Sequence, residues 1–185
     1  MLNDKKIRTE LIDRLNSSFK KPVRVVEEMA VKRGIAIADV VVAYKRPHCF
    51  EIKSDVDSLS RLINQSKIFS EVFPKVTLVT TDKHLEKAIK IVPVRWGIIV
   101  ASSYKTEKVK LKYYRKSRFN PSDTTNNLLS ILWNDELKSI LNEIKEPYKK
   151  SLNRAELVDK VQSAVSKKRA ESIFVDTIFE RNVNG

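Results

Sequence analysis

Apolar positions in residues 4–16, DKKIRTELIDRLN, recur as Ile7, Leu11 and Leu15 at four-residue spacing, which predicts a short amphipathic helix. Pro22 ends that region. Residues 23–31, VRVVEEMAV, are rich in β-branched side chains and predict a strand, and Gly34 marks a turn into an apolar run at 35–44. The segment KRP at 45–47 makes a hairpin-like connection into HCFEIKS. From Asp57 to Phe73 the period becomes helical, with Leu59, Leu62, Ile63, Ser66, Phe69 and Phe73 on one face and Asp57 or Ser58 as N-cap. Pro74 stops this helix. A strand at 75–81, a short helix over DKHLEKAIKI and a strand at 96–102 follow.

Strands alternating with helices at these crossover lengths predict an α/β fold with parallel pairing, a mixed β-sheet flanked by helices. Residues 105–118 alternate Val109, Leu111 and Tyr113 with lysines, as an edge strand does. FNPSDTTN then reads as a linker, and everything after it as helix. The expected division is a core at 1–118 and a helical C-terminal extension at 119–185. Within the extension, residues 134–165 predict two helices around a basic linker, the second announced by the capping-box spacing of Asn153 and Glu156. That arrangement is similar to helix-extension-helix DNA-binding modules of the SAP type, and a two-helix lobe packed on the core is the competing reading.

At 185 residues and 42% hydrophobic content, the chain is long and apolar enough for one main core. No apolar run is long enough to span a bilayer, and the start lacks a signal-peptide core, so the expectation is a soluble, cytoplasmic protein without membrane attachment. A single cysteine, Cys49, excludes an internal disulfide, and His48 and His84 are too far apart in sequence to suggest a zinc site. Cys49 is expected to pack as a small hydrophobe, the two histidines to lie at the surface, and Trp96 and Trp133 to fill core. With three glycines there is no phosphate-cradling loop, so no nucleotide cofactor is expected.

The net charge is +13, and its distribution narrows the partner. Lysine plus arginine against aspartate plus glutamate gives 19 and 12 in residues 1–100, 7 and 1 in 101–118, and 10 and 10 in 119–185. A basic surface concentrated in the first two segments points to nucleic acid, with Lys105, Lys108, Lys110, Lys112, Arg115 and Lys116 as candidate contacts. A solvated lysine face is the bland alternative.

Two apolar strands carry charges that need explaining. Strand alternation puts Glu51 and Lys53 on one face, and Asp39 interrupts the run AIADVVVA. A carboxylate there is costly unless it is paired or bound to metal. Two carboxylates converging from neighbouring strands make an oxygen-rich site suited to Mg2+ or Mn2+, and a lysine beside them would orient an attacking water at a phosphodiester. From the residues alone, a buried ion-pair network without catalysis stays equally open.

Glu28, Asp39 and Glu51-Ile-Lys53, followed by a helix bearing Gln65, resemble the PD-(D/E)XK nuclease superfamily. The longer run EIKSDVDSLSRLINQSKIFSEVFPKVTLVTT, with RWGIIV downstream, is similar to a bacterial and phage branch of it; the likeness spans about residues 5–102 and, more weakly, LLSILWNDEL. The resemblance implies a restriction-endonuclease-like core and a Mg2+- or Mn2+-dependent nuclease acting on DNA. It implies Asp39 and Glu51 as metal ligands, with the Ile52 carbonyl completing the shell, Lys53 as the residue that positions water, Glu28 as an auxiliary ligand and Gln65 as a contact from the helix. Strand alternation lets only one of Glu27 and Glu28 face the site. Arg61, one turn before Gln65, is placed to reach a phosphate. Two departures stand out: Ala38 occupies the position of the proline that names the motif, and Phe69 stands where exonuclease-like members carry tyrosine. A homodimer is compatible with this reading. The rival function is a catalytically silent nucleic-acid-binding or assembly protein that keeps the fold, and a structural lobe in a phage or defence complex is a third.

Overall fold

The computed structural model describes residues 1–19, 23–103 and 108–181. Its elements run α1 (Asp4–Ser18), β1 (Arg24–Val31), β2 (Ala36–Ala43), β3 (His48–Lys53), α2 (Leu62–Val72), β4 (Lys75–Thr81), α3 (Asp82–Ile91), β5 (Gly97–Ser103), β6 (Val109–Arg115), α4 (Thr125–Leu129), α5 (Asn134–Glu143), α6 (Arg154–Ala164) and α7 (Lys167–Glu180). The six strands form one sheet in sequence order. β1, β2 and β3 pair antiparallel, β3, β4 and β5 parallel through α2 and α3, and β6 returns antiparallel along β5. The fold is therefore α/β, a mixed sheet flanked by helices with a helical C-terminal region.

Two cores lie against the sheet. The smaller packs Ile7, Leu11 and Leu15 of α1 on Val40, Val42, Phe50, Ile52, Val79 and Ile99. The larger joins Val41, Ala43, Leu78 and Ile98 to Leu62 and Phe69 of α2 and to C-terminal residues that include Leu141, Leu157, Phe174 and Ile178. Residues beyond 118 thus share a continuous core with the sheet; the shift at 118/119 is one of composition, not of packing. Polar links reinforce the junction. Arg46, in the β2–β3 turn, donates from Nη2 to Glu171 Oε1 of α7 at 2.7 Å, and Arg181 donates to Glu136 of α5 at 2.8 Å. The capping box is formed, with Asn153 Oδ1 accepting from Ala155 N and Glu156 N while Glu156 accepts from Asn153 N.

Several expectations are corrected. α2 starts at Leu62 and not near Asp57, because the Asp57 carboxylate accepts from Ser54 N at 2.7 Å and Ser58 Oγ from Ser60 N at 3.1 Å, which holds residues 54–60 in turns. Ile63 is consequently exposed. His84 is buried under α3, and His48 lies in a cavity wall, so neither is a surface histidine. Trp96 is core, but Trp133 is 61% exposed with the Arg181 guanidinium 4.4 Å from its ring centroid. Cys49 is fully buried, and burial pushes its thiol well above the usual range. Pro22 and Lys105 lie outside the described residues. Among the described residues, no helix is long and apolar enough to cross a membrane.

Candidate active site

The β2–β3 ladder pairs Val42 with His48, Val41 with Cys49 and Val40 with Phe50. The next register position would set Asp39 opposite Glu51. There the strands part: Ile52 N donates to Asp39 Oδ2 at 2.7 Å, so a side chain takes over where a backbone carbonyl would have continued the ladder. On the other side of β2, the β1 ladder skips between Glu27↔Val40 and Met29↔Ala38, the level at which Glu28 faces Asp39. Glu28 has φ of 52°, a left-handed backbone that an ordinary side chain rarely adopts. Alternation breaks at that level. Val41 and Ala43 belong to the larger core, but so do Ala36 and Ala38, so β2 exchanges its faces around Asp39. Strained backbone of this kind persists only where surrounding structure holds it, and it concentrates at functional sites.

The opened end of the sheet forms a cleft of about 930 Å3, closed on one side by α1 and on the other by α2. Asp39, Glu51, Lys53, Glu28, Gln65 and Arg61 all line it. Glu51 is 1% exposed; its Oε1 accepts from Lys53 Nζ at 2.6 Å, and its Oε2 has no protein partner. Burial first, and then the Asp39 carboxylate beside it, pushes the Glu51 acid up to about 8 despite Lys53. Asp39 is raised by burial as well, opposed by the Ile52 amide and the Arg8 guanidinium. A second orphan oxygen, Gln65 Oε1, is also buried and without a partner in the cleft wall. An amide oxygen and a carboxylate oxygen left unpaired beside a second carboxylate are the donors a hard divalent cation takes. Asp39, Glu51 and Gln65 thus bring to one cleft the donor types that Mg2+ or Mn2+ takes.

Glu28 lines the same cleft as Asp39 and Glu51 but is not buried with them. Glu28 keeps 74% of its side chain exposed and lies 3.9 Å from Arg8, with Glu27 at 3.8 Å from the same guanidinium. Alternation does not choose between the two glutamates, because the left-handed residue breaks it. Among the described residues, no three Asp, Glu, His or Cys side chains form a metal-holding group.

Arg8 is the residue the sequence reading missed. It donates to the Asp39 carbonyl at 3.0 Å and to Asp39 Oδ1 at 3.2 Å, while Asp4, one turn earlier on α1, holds its Nε at 2.9 Å. Its only local signal is the Asp4/Arg8 spacing beside the buried Ile7. Asn64 and Lys67 of α2 also line the cleft.

The expected nucleic-acid contacts divide. Arg61 flanks the start of α2 at the cleft, but Lys108, Lys110 and Lys112 lie on or beside β6, separated from β3 by two strands. Arg115 is committed to the fold, donating to the Trp96 carbonyl at 2.8 Å and the Pro93 carbonyl at 2.9 Å. Lys116 lines a different cavity.

The family model described as Bacteriophage P4 protein cII matches residues 1–183. Protein cII of Enterobacteria phage P4 is 29% identical over 182 residues, covering 98% of this chain and 68% of that protein. Among solved structures, the SPO1766 protein of unknown function from Silicibacter pomeroyi superposes with a TM-score of 0.49 at 13% identity, over 82% of this chain and 99% of that one. SfsA of Pyrococcus furiosus in complex with Ca2+ gives a TM-score of 0.35 at 15% identity, over 62% of each chain.

Proposed function

The chain belongs to the Bacteriophage P4 protein cII family, and for it we propose a metal-dependent nuclease that hydrolyses phosphodiester bonds in DNA on a restriction-endonuclease-like core of the PD-(D/E)XK type. The observation that carries this reading is the pair of buried oxygens left without a protein donor, Glu51 Oε2 and Gln65 Oε1, in residues that line one cleft with Asp39 and Lys53. A buried unpaired acceptor costs about 1–3 kcal/mol, and two in one cleft call for a ligand. Bound by Asp39, Glu51 and Gln65, Mg2+ or Mn2+ would supply Lewis-acid stabilisation of charge on the phosphate.

The chain's own residues do the rest. Lys53, held by Glu51 at 2.6 Å, keeps an ammonium at the cleft floor where it orients a water and offsets negative charge. Arg61 and Lys67, on the cleft wall, grip the phosphate backbone without reading sequence. The Ile52 amide fixes the Asp39 carboxylate in orientation, so the two acids meet a ligand without reorganising.

One observation favours the alternative, a catalytically silent nucleic-acid-binding or assembly protein: Arg8 and Lys53 already neutralise Asp39 and Glu51 within the chain. Mn2+ titration followed by calorimetry separates the readings. The nuclease reading expects one Mn2+ per chain, weakened at least tenfold in Glu51→Gln and severalfold in Gln65→Ala. The silent reading expects no heat of binding in the wild-type protein.

A further inference from the structure

A second cavity lies at the other end of α1. It encloses about 590 Å3 between the C-terminal half of α1 and the sheet, within the size range of small-molecule sites. Aromatic rings and cations make up much of its wall, and no carboxylate among the described residues lines it.

The cations fall into two groups. Arg46 is neutralised by Glu171, and Arg14 donates to the Leu111 carbonyl at 2.5 Å, so both serve the fold. Lys45, Lys75 and Lys116 line the cavity, and none of the three has an ion pair among the described residues. Lys75 is the most constrained. Its ammonium is 5.1 Å from the Phe119 ring centroid, and the Arg46 guanidinium sits over the same ring at 4.0 Å. Burial, and then the Arg46 charge, lowers the Lys75 ammonium below its usual value, as expected where two cations share a site without an anion.

Tyrosines supply the aromatic surface of the wall that is not core. Phe50 is buried against His48 with centroids 4.2 Å apart, whereas Tyr44, packed on Phe19, and Tyr113, with the Arg14 guanidinium 5.1 Å from its centroid, also line the wall, the latter with 42% of its surface exposed. His48 is held by Thr77 Oγ1 at 2.8 Å from Nε2, and burial pushes its pKa down to about 3, so the ring is neutral and adds no charge. A lone inorganic anion would leave the aromatic wall without use, and a neutral aromatic would leave three lysines without a counter-anion.

We propose that this cavity binds a nucleoside phosphate, its base against Tyr44 and Tyr113 and its phosphate held by Lys45, Lys75 and Lys116. Stacking on aromatic faces combined with backbone-tracking cations is how single nucleotides and strand ends are held without a glycine-rich loop. The same chemistry is offered by a free nucleotide and by the phosphorylated end of a strand. The site is separate from the Asp39/Glu51 cleft and does not depend on its being a nuclease.

The test uses the full chain in EDTA at low salt, followed by calorimetry and amide chemical shifts. The probes are deoxyadenosine monophosphate, deoxyadenosine, inorganic phosphate and a 5′-phosphorylated tetranucleotide. The expected result is binding of the monophosphate or the tetranucleotide with shifts at His48, Lys75 and Tyr113, and at least tenfold weaker binding of deoxyadenosine and of phosphate. Equal affinities for the monophosphate and the tetranucleotide assign a free nucleotide; binding of the tetranucleotide alone assigns a strand end. Lys75→Met with Lys116→Met should weaken binding at least tenfold, and Asp39→Asn should leave it unchanged. Should the double variant fold poorly, Lys45→Met with Lys116→Met spares the constrained Lys75 and should still weaken binding at least threefold. Phosphate binding as tightly as the monophosphate, shifts confined to the cleft, or no effect of either lysine pair would each overturn the proposal.

Discussion

The cleft at the N-terminal end of α1 and the cavity at its C-terminal end are built on the same three elements, α1, β2 and β3, with opposite electrostatics. In the cleft, acids are buried beside one another and the chain brings Arg8 and Lys53 to meet them. In the cavity, cations gather with no acid among the described lining residues, and the histidine there is kept neutral. One site matches its buried acids with cations of the same chain, and the other gathers cations with no acid among the described lining residues. Unmatched charge in a concave wall attracts a ligand of opposite sign.

The largest expected difference between the two ends is catalytic. Lys53→Ala should lower DNA cleavage by about 10²-fold or more while leaving Mn2+ binding within a few-fold of wild type. Lys75→Met should leave cleavage of a long duplex within about threefold. A nuclease assay on both variants, with Mn2+ calorimetry, checks this; equal losses would merge the two sites into one.

Stability against pH should also split the ends. Glu51 binds a proton more tightly folded (about 8) than unfolded (4.5), so the native state carries extra protons in between, and stability falls as pH rises from about 4.5 to about 8. His48 binds its proton more weakly folded (about 3) than unfolded (6.5), so stability falls as pH drops from about 6.5 towards 3. Each unit of displacement corresponds to about 1.4 kcal/mol. In the wild type the two slopes oppose each other between about 4.5 and 6.5; urea unfolding across pH should show Glu51→Gln losing the fall towards pH 8 and rising up to about 6.5, and His48→Gln losing the fall towards pH 3 and falling from about 4.5.

Arg8→Ala should cost about 1–3 kcal/mol without metal, because Asp39 Oδ1 loses its partner, and Mn2+ should restore part of that loss. Thermal melts with and without Mn2+ measure both effects. No restoration would mean that Asp39 serves only its ion pair.

The smallest effect concerns the edge strand. Neutralising Lys108, Lys110 and Lys112 should flatten the dependence of DNA affinity on log salt concentration by up to about 0.9 for each phosphate no longer neutralised. β4 and β5 separate them from the cleft, so the cleavage rate at saturating DNA should not change.

Much of this architecture was legible because period-2 and period-3.6 patterns are local. Ile7, Leu11 and Leu15 face the sheet as their spacing requires, and Asp39, Glu51 and Lys53 stand out as charges in otherwise apolar strands. What was not legible comes from contacts between distant segments or from backbone exceptions. Arg8 meets Asp39 across 31 positions, and no local period marks that pairing. Glu28 reads as an ordinary strand residue until its left-handed φ shows that alternation cannot be carried through it. The start of α2 was displaced because Asp57 bonds back to Ser54, a competition between turn and helix that residue type alone does not decide. The basic cavity draws on α1, β2, β3, the start of β4, β5 and residues 113–119, so only the folded chain displays it.

The most direct test of the cleft's role is cleavage of single-stranded and duplex DNA by the wild-type chain under Mg2+, Mn2+ and Ca2+ in parallel, with Glu51→Gln as control. The account predicts cleavage with Mg2+ or Mn2+, little turnover with Ca2+ because its looser coordination holds the reacting groups less strictly, and none in the control. A well-folded wild-type protein that cuts neither substrate under any of the three ions would contradict it.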